Sequence, residues 1–140
     1  MEQTTIISLT AGQVEEITKI ARDAFPNESC AFLLGENDVT TTTVKVAEIL
    51  PMQNADKSQV SFSIEPQEVL SAYALAEKKK LQVIGIFHSH PGRPEPSSTD
   101  KKFMEINPVV WLIYSTTEHR LKAYIYDSDV REVVVKVITE

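Results

Sequence analysis

Apolar residues three or four positions apart mark three segments of this chain as helices. Thr10 precedes the first segment in capping-box spacing with Gln13, and Pro66 stands in the first turn of the second. The second segment ends in three lysines, which suit the negative end of a helix dipole, so we interpret them as structural. The predicted helices are Ala11–Ala24, the segment from Glu65-Pro66 to Lys78-Lys79-Lys80, and about Ser98–Ile106.

Runs rich in apolar and β-branched residues predict strands before, between and after these helices. The predicted strands are Thr4–Leu9, Glu28–Gly35, Thr40–Leu50, Val60–Ile64, Leu81–Phe87, Val109–Ser115, Leu121–Tyr126 and Val130–Ile138. Polar segments predict turns at Glu36–Val39, Thr116–Arg120 and Asp127–Asp129 and a loop at 51–59. This order predicts a mixed α/β or α+β fold with helices around a curved sheet, in which Thr4–Leu9 is an edge strand.

The composition fits a single globular domain over residues 1–140. Apolar residues make up 42% of the chain and the formal net charge is −6. A negative chain lacks the basic field that replaces phosphate counterions, so we expect no nucleic-acid and no membrane partner. The single cysteine excludes an internal disulfide, and the first five residues lack the features of a signal peptide. We therefore expect a cytoplasmic protein.

The apolar strand that begins at Leu81 turns polar abruptly at its end, in His88-Ser89-His90. Side chains alternate along a strand, so both histidines leave the same face with Cα atoms roughly 6.5 Å apart. Asp100 follows after a short proline-rich loop. Two imidazoles and one carboxylate, with a fourth position open, are typical of catalytic zinc. We therefore predict that His88, His90 and Asp100 bind Zn²⁺.

Each of these signals also has a purely structural interpretation. Two histidines two residues apart on a strand are commonly incidental. Ser97-x-x-Asp100 before an apolar helix is also a capping signature. The two interpretations of Asp100 are compatible, because a rigid cap is one way to aim a ligand. The apolar strand and the three loop prolines favour the metal site.

Hydrolysis at a zinc ion also needs a group that carries protons, and Glu28 is the candidate. It opens a predicted buried strand, where a carboxylate is unusual; the alternative is a solvated strand end. Cys30 shares the face of Glu28 by parity. We interpret Cys30 as a core residue, with a fourth zinc ligand as the alternative that would close the site. His119 lies in a polar turn, and we assign it no role.

Glu28, His88-Ser89-His90-Pro91 and Ser97-x-x-Asp100 together resemble the pattern of the JAMM (MPN-plus, Mov34/PAD-1) metalloproteases. That pattern is a distant glutamate, His-Ser/Thr-His, seven residues and Ser-x-x-Asp. The resemblance covers nearly the whole chain, including the aromatic strand around Trp111. It implies an MPN/JAMM-like, cytidine-deaminase-like fold of the α/β (α+β) class, with a curved mixed sheet flanked by helices.

The resemblance also implies a role for each matched residue. His88, His90 and Asp100 would bind zinc, Glu28 would be the acid and base that activates water, and Ser97 would help to stabilise the oxyanion. Only six residues separate His90 from Ser97, one fewer than in the family pattern. Counting seven would place a lysine at the aspartate position, so Asp100 fixes the frame and Ser97 follows.

The activity that the resemblance implies is hydrolysis of the bond after the C-terminal diglycine tail of ubiquitin or a ubiquitin-like protein. The short segment after Asp100 leaves little room for the second insertion of larger eukaryotic members, which favours a minimal prokaryotic type. One alternative is a peptidase that trims amino-acid adducts of sulfur-carrier proteins, and another is a non-catalytic MPN scaffold. The resemblance leaves a proteasome partner and a dimer open.

Overall fold

Seven strands and three helices follow one another along the parts of the chain that the computed structural model describes, residues 5–54 and 65–139. The helices are α1 (Ala11–Ala24), α2 (Pro66–Lys78) and α3 (Ser98–Ile106). The strands are β1 (Ile6–Thr10), β2 (Ser29–Asp38), β3 (Thr43–Met52), β4 (Gln82–His90), β5 (Val110–Ser115), β6 (Leu121–Asp127) and β7 (Asp129–Ile138). The predicted strand Val60–Ile64 and most of the predicted loop 51–59 lie outside the described residues. No described helix has the length and apolar character needed to cross a bilayer.

The strands form one closed barrel in the order β1-β3-β2-β4-β5-β6-β7. β1 runs parallel to both of its neighbours, β4 runs parallel to β5, and the other neighbouring pairs are antiparallel. The mixed, curved sheet is as predicted. The prediction that the first strand lies at an edge is wrong, because Ile6 pairs with Thr43 on one side and Val134 on the other.

The first hairpin turns later than the sequence predicts. The polar sequence predicts a turn at Glu36, Asn37 and Asp38. These three residues instead continue β2 and pair with Lys45, Val44 and Thr43. Their side chains are exposed, so their polarity reflects a strand that extends past the core. The predicted turn at Glu36–Val39 is therefore wrong for its first three residues, and only Val39 lies in the observed turn. At its other end β3 runs on to Met52, two residues into the predicted loop.

Both faces of the sheet carry a hydrophobic core. The inner core takes residues from all seven strands and from α1, among them Ile17, Ala21, Phe87 and Leu112. The outer core lies over β2, β4, β5 and β6 and includes side chains of α2 and α3. Because β2 and β4 are covered on both sides, seven residues of β2 and six of β4 are buried in succession. The polar end of β4 therefore begins inside the protein.

Candidate metal centre

His88 and His90 end β4 on its outer face. His88 pairs with Cys30 on β2 and Ile113 on β5, both of which belong to the outer core. The His88 side chain is fully buried, and its ring meets Trp111 edge-on at a centroid distance of 5.8 Å. The two imidazole centroids lie 5.2 Å apart, so the rings face one space, as the strand period predicts.

Asp100 reaches the same space from the first turn of α3. Ser97 is the N-cap of this helix: its Oγ accepts a hydrogen bond from the Asp100 N–H at 3.1 Å, and its own N–H donates to Asp100 Oδ2 at 2.8 Å. The same Oδ2 lies 3.3 Å from His88 Nε2 and 3.9 Å from His90 Nε2. Asp100 is thus the capping-box residue and also lies beside the two histidines, so the capping interpretation is confirmed and the ligand interpretation, which is compatible with it, stays a prediction.

The three side chains form a group that could hold a metal ion, since one ligand atom from each lies within 4.8 Å of the others. Two neutral imidazole nitrogens and one carboxylate oxygen suit a divalent transition metal and leave coordination positions open. Burial alone would raise the pKa of Asp100, but the hydrogen bonds from His88 and Ser97 outweigh it and lower the pKa. Asp100 is therefore ionised at neutral pH, as a metal ligand must be.

The loop after β4 orients the ring of His90. His90 Nδ1 lies 2.9 Å from the Pro91 carbonyl oxygen and Nε2 lies 3.2 Å from the Glu95 carbonyl oxygen. Both partners are carbonyl oxygens, and a neutral imidazole carries one N–H, so it can donate to only one of them. With the proton on Nδ1 and donated to Pro91, Nε2 would be the ligand atom, and metal binding would replace its contact with Glu95. The His90 side chain is less buried than that of His88, with 12% of its surface exposed. The open side of the group is therefore the His90 side.

Glu28 lies directly before β2 and is 6% exposed. The next residue, Ser29, pairs with Ser89 between the two histidines, and their hydroxyl oxygens lie 2.6 Å apart. Burial, together with the negative charge of Asp100, raises the pKa of Glu28 to about 8. The residue also lines a cavity of about 500 Å³ with Asn27 and Asn54. Glu28 is thus a buried acid electrostatically coupled to the metal group.

The other residues singled out from the sequence lie around this group in different ways. The Ser97 hydroxyl caps α3 at the exposed mouth of the site. Cys30 is fully buried in the outer core, where its Sγ donates to the Met52 carbonyl oxygen at 3.7 Å. His119 lies in the β5–β6 turn, and its Nδ1 is 3.2 Å from the Tyr114 hydroxyl. Neither Cys30 nor His119 belongs to the metal group found among the described residues.

Residues 10–126 match the family described as prokaryotic homologs of the JAB domain. This match spans most of the chain and includes every residue of the metal group and Glu28. The protein belongs to the prokaryotic JAB family.

Relatives of this JAB-family protein include desampylases and CysO-cysteine peptidases. A desampylase from Pyrococcus furiosus is 35% identical to this chain over 114 residues, and the alignment covers 81% of this chain and 76% of the relative. A desampylase from Haloferax volcanii is 31% identical over 138 residues, covering 94% and 96% of the two chains. A CysO-cysteine peptidase from Mycobacterium tuberculosis is 26% identical over 140 residues, covering 96% and 93%.

Solved structures show the same architecture. A Desulfitobacterium hafniense protein superposes with a TM-score of 0.82 at 34% identity, covering 96% of this chain and 94% of the other. A Salinibacter ruber protein superposes with a TM-score of 0.69 at 26% identity, covering 94% and 90%. The predicted family and fold class are confirmed, as is the prediction that this JAB-family protein is a hydrolase of the peptidase class.

Two residues near the site were not found from the sequence. Asn54 Nδ2 donates to the Glu28 carbonyl oxygen at 3.0 Å, and the Tyr124 hydroxyl donates to the Pro94 carbonyl oxygen at 3.0 Å. Each bond joins residues 26 or 30 positions apart, so no local pattern could reveal it. Asn54 thus bonds to the backbone of Glu28 itself, and Tyr124 bonds to the backbone of the loop that joins His90 to the helix of Asp100.

Proposed function

We propose that this JAB-family protein is a zinc-dependent isopeptidase that cleaves the bond after the C-terminal diglycine tail of a ubiquitin-like protein. The observation that carries the proposal is the convergence of His88, His90 and Asp100 beside the buried acid Glu28. The two desampylase relatives, which align over most of their own length, support the same substrate class. We also propose that residues 1–140 form one domain with this activity.

In the proposed centre the two histidines and Asp100 hold zinc. When bound, zinc acts as a Lewis acid and lowers the pKa of water into the neutral range. In the metal-free protein Glu28 keeps its proton up to about pH 8, and the positive charge of a bound divalent ion would lower that pKa. The ionised carboxylate would then accept the proton that the attacking water loses as its oxygen bonds to the carbonyl carbon. The same carboxyl group then gives that proton to the amine as the carbon–nitrogen bond breaks. The Ser97 hydroxyl, whose oxygen accepts from the Asp100 amide, keeps its own proton to donate to the carbonyl oxygen of the substrate.

A diglycine tail suits the space beside Glu28. The cavity of about 500 Å³ is bounded by the end of β3, at Met52, and by the end of α1. Near Met52, β3 pairs with β2 on one side, and no described strand pairs with its other side. A tail without side chains would lie extended along this edge of β3 and hydrogen-bond through its main chain. Its last carbonyl would then meet Glu28.

The test is cleavage of a ubiquitin-like fusion by the purified, zinc-loaded protein. We expect turnover in the wild type and a loss of at least about 100-fold in Glu28→Gln, because an amide cannot carry the proton. Glu28→Gln should still bind one zinc ion. His88→Ala should lose both metal and activity. Unchanged activity in Glu28→Gln, or stoichiometric zinc in His88→Ala, would contradict the proposal.

A second substrate is favoured by one relative. The mycobacterial CysO-cysteine peptidase aligns with this chain over 140 residues, so the same centre suits removal of an amino acid from the C terminus of a carrier protein. Parallel assays with an isopeptide-linked substrate and a carrier–cysteine adduct separate the two substrates. A pure protein free of zinc under non-chelating conditions would instead favour the MPN scaffold. The resemblance leaves a proteasome partner and a dimer open, and the cytoplasmic location stays a prediction from the composition.

A further inference from the structure

Two aromatic residues face each other across β5 and β6 in the outer core. Trp111 pairs with Tyr124, and the two side chains are 1% and 7% exposed. Neither belongs to the group that could hold a metal. Each makes a polar contact with a different end of the segment that delivers Asp100: Tyr124 with the loop before α3, and Trp111 with the residue that ends α3.

Resting on the proposed zinc centre, we propose that Trp111 and Tyr124 are positioning residues that hold His88 and Asp100 in ligating geometry. Tyr124 acts through the loop 91–97 and Trp111 acts through the His88 ring and the end of α3. Neither residue would touch the metal or the substrate. Their role would be to hold His88 and Asp100 in place before the metal binds. Metal binding would then cost less conformational entropy.

The loop before α3 depends on anchoring contacts. Most of its residues are exposed, and Pro94 is the one buried residue between 91 and 97. The Pro94 carbonyl accepts the Tyr124 hydrogen bond at 3.0 Å, inside the protein. Burial raises the pKa of Tyr124 to about 12, so the hydroxyl stays a donor at every pH at which the enzyme would be assayed. Tyr124 thus fixes the loop three residues before the N-cap Ser97.

A second anchor holds only the beginning of the loop. The Gly92 N–H donates to Thr117 Oγ1 at 2.8 Å, and the Gly92 carbonyl accepts from Ser115 Oγ. These contacts tie the loop to the β5–β6 turn directly after His90. Beyond Gly92, the Tyr124 hydroxyl holds the Pro94 carbonyl, and among the described residues the Glu95 carbonyl contacts only His90 Nε2, the nitrogen that would bind the metal. Loss of the Tyr124 hydroxyl should therefore free the part of the loop that leads to Asp100 while His90 stays held.

Trp111 supports the same ligands from the other side. Its Nε1–H donates to the Asn107 carbonyl oxygen at 3.2 Å, at the residue that ends α3. Its ring meets the His88 ring at a centroid distance of 5.8 Å and an angle of 79°. The aromatic pair therefore contacts one ligand directly, and through hydrogen bonds it contacts the chain on both sides of the other.

The test compares two tyrosine-to-phenylalanine variants. Tyr124→Phe removes the hydroxyl that reaches Pro94 and keeps the ring. Tyr114→Phe, on β5, removes a hydroxyl that contacts His119 instead and is the matched control. Zinc affinity is measured with a competing chromophoric chelator, and Co²⁺ loading gives a visible spectrum that reports ligand geometry. We expect Tyr124→Phe to bind zinc about 10-fold more weakly and to shift the Co²⁺ spectrum, with Tyr114→Phe like the wild type.

Hydrogen exchange of the metal-free variants gives a readout that does not depend on metal. The amides of Ser97 and Asp100 should exchange faster in Tyr124→Phe than in the wild type or Tyr114→Phe. Trp111→Phe should weaken zinc binding in the same direction. Wild-type zinc affinity and exchange in Tyr124→Phe, or an equal loss in both tyrosine variants, would overturn the inference. A wild-type protein that binds no zinc would instead overturn the proposed function, so the two failures are distinguishable.

Discussion

Glu28 is an acid held out of water, and this has a consequence for stability as well as for catalysis. In the metal-free protein its pKa is about 8, against an ordinary value of 4.5. Between these values the unfolded chain releases a proton that the folded chain keeps. The free energy of unfolding therefore falls as the pH rises from about 4.5 to about 8. Asp100 has a lowered pKa, so its contribution is lost only in more acidic solution, outside this window.

We predict that Glu28→Gln abolishes this fall in unfolding free energy with rising pH. Between pH 5 and pH 8 the metal-free variant should keep on the order of 2–4 kcal/mol of unfolding free energy that the wild type gives up. Urea denaturation in the presence of a chelator at both pH values measures it. Glu15→Gln, on the exposed side of α1, controls for the loss of one charge. A Glu28→Gln profile parallel to that of the wild type would show that Glu28 ionises freely in the folded protein.

At the residue scale, the sequence predicted the arrangements that are set by residues two or three positions apart. His88 and His90 converge because a strand alternates, and Asp100 arrives because a capping box fixes it against Ser97. Tyr124 and Asn54 escaped prediction because each acts through a backbone carbonyl far along the chain. Glu28 was singled out as a carboxylate at the start of a buried strand, but its raised pKa depends on burial that only the tertiary structure shows.

At the scale of elements, capping boxes decide where two helices begin. Thr10 with Gln13 and Ser97 with Asp100 each make both hydrogen bonds of the motif, and α1 and α3 have the predicted bounds. The first hairpin was predicted less well. Polar residues Glu36, Asn37 and Asp38 indicate a turn locally, yet backbone pairing with β3 continues through them. The end of β2 is set by backbone pairing with β3, whereas the N-termini of α1 and α3 are set by local side-chain hydrogen bonds.

The two caps allow a matched experiment. We predict that Thr10→Ala and Ser97→Ala each cost about 1 kcal/mol of unfolding free energy, because each leaves a helix N-terminal N–H without its side-chain acceptor. Only Ser97→Ala should also weaken zinc binding, by several-fold, because α3 carries Asp100 whereas α1 carries no ligand. Thermal unfolding and chelator competition on the same samples measure both effects. Equal zinc affinity in the two variants would show that the α3 cap does not position Asp100.

At the scale of the whole molecule, local sequence patterns could not predict that the sheet closes into a barrel. β1 is short and rich in β-branched residues, which suits an edge strand, but its parallel partners β3 and β7 come from the middle and the end of the chain. Closure covers the inner faces of β2 and β4, and the outer core, with side chains of α2 and α3, covers their outer faces. His88 lies on the outer face at 0% exposure. The metal group is thus assembled from a barrel strand and a helix that hold their positions only in the folded chain.

Metal binding should therefore stabilise the whole fold, because the unfolded chain cannot present the same three ligands together. At free zinc about 100 times the dissociation constant we expect about 2.7 kcal/mol of stabilisation, which corresponds to a rise in Tm of roughly 5–10 °C. A chelator should reverse the rise. Acid should diminish it, since imidazole and carboxylate must be deprotonated to ligate.

The variants that test this prediction differ only in which histidine is removed. His88→Ala should show no zinc-dependent rise in Tm, because a ligand is missing from the group. His119→Ala, in the β5–β6 turn outside the group, should keep the full rise. Differential scanning calorimetry with and without zinc measures both. A zinc-dependent rise that persists in His88→Ala would mean that the ion binds elsewhere on the folded protein, and a rise lost in His119→Ala would extend the ligand set to that turn.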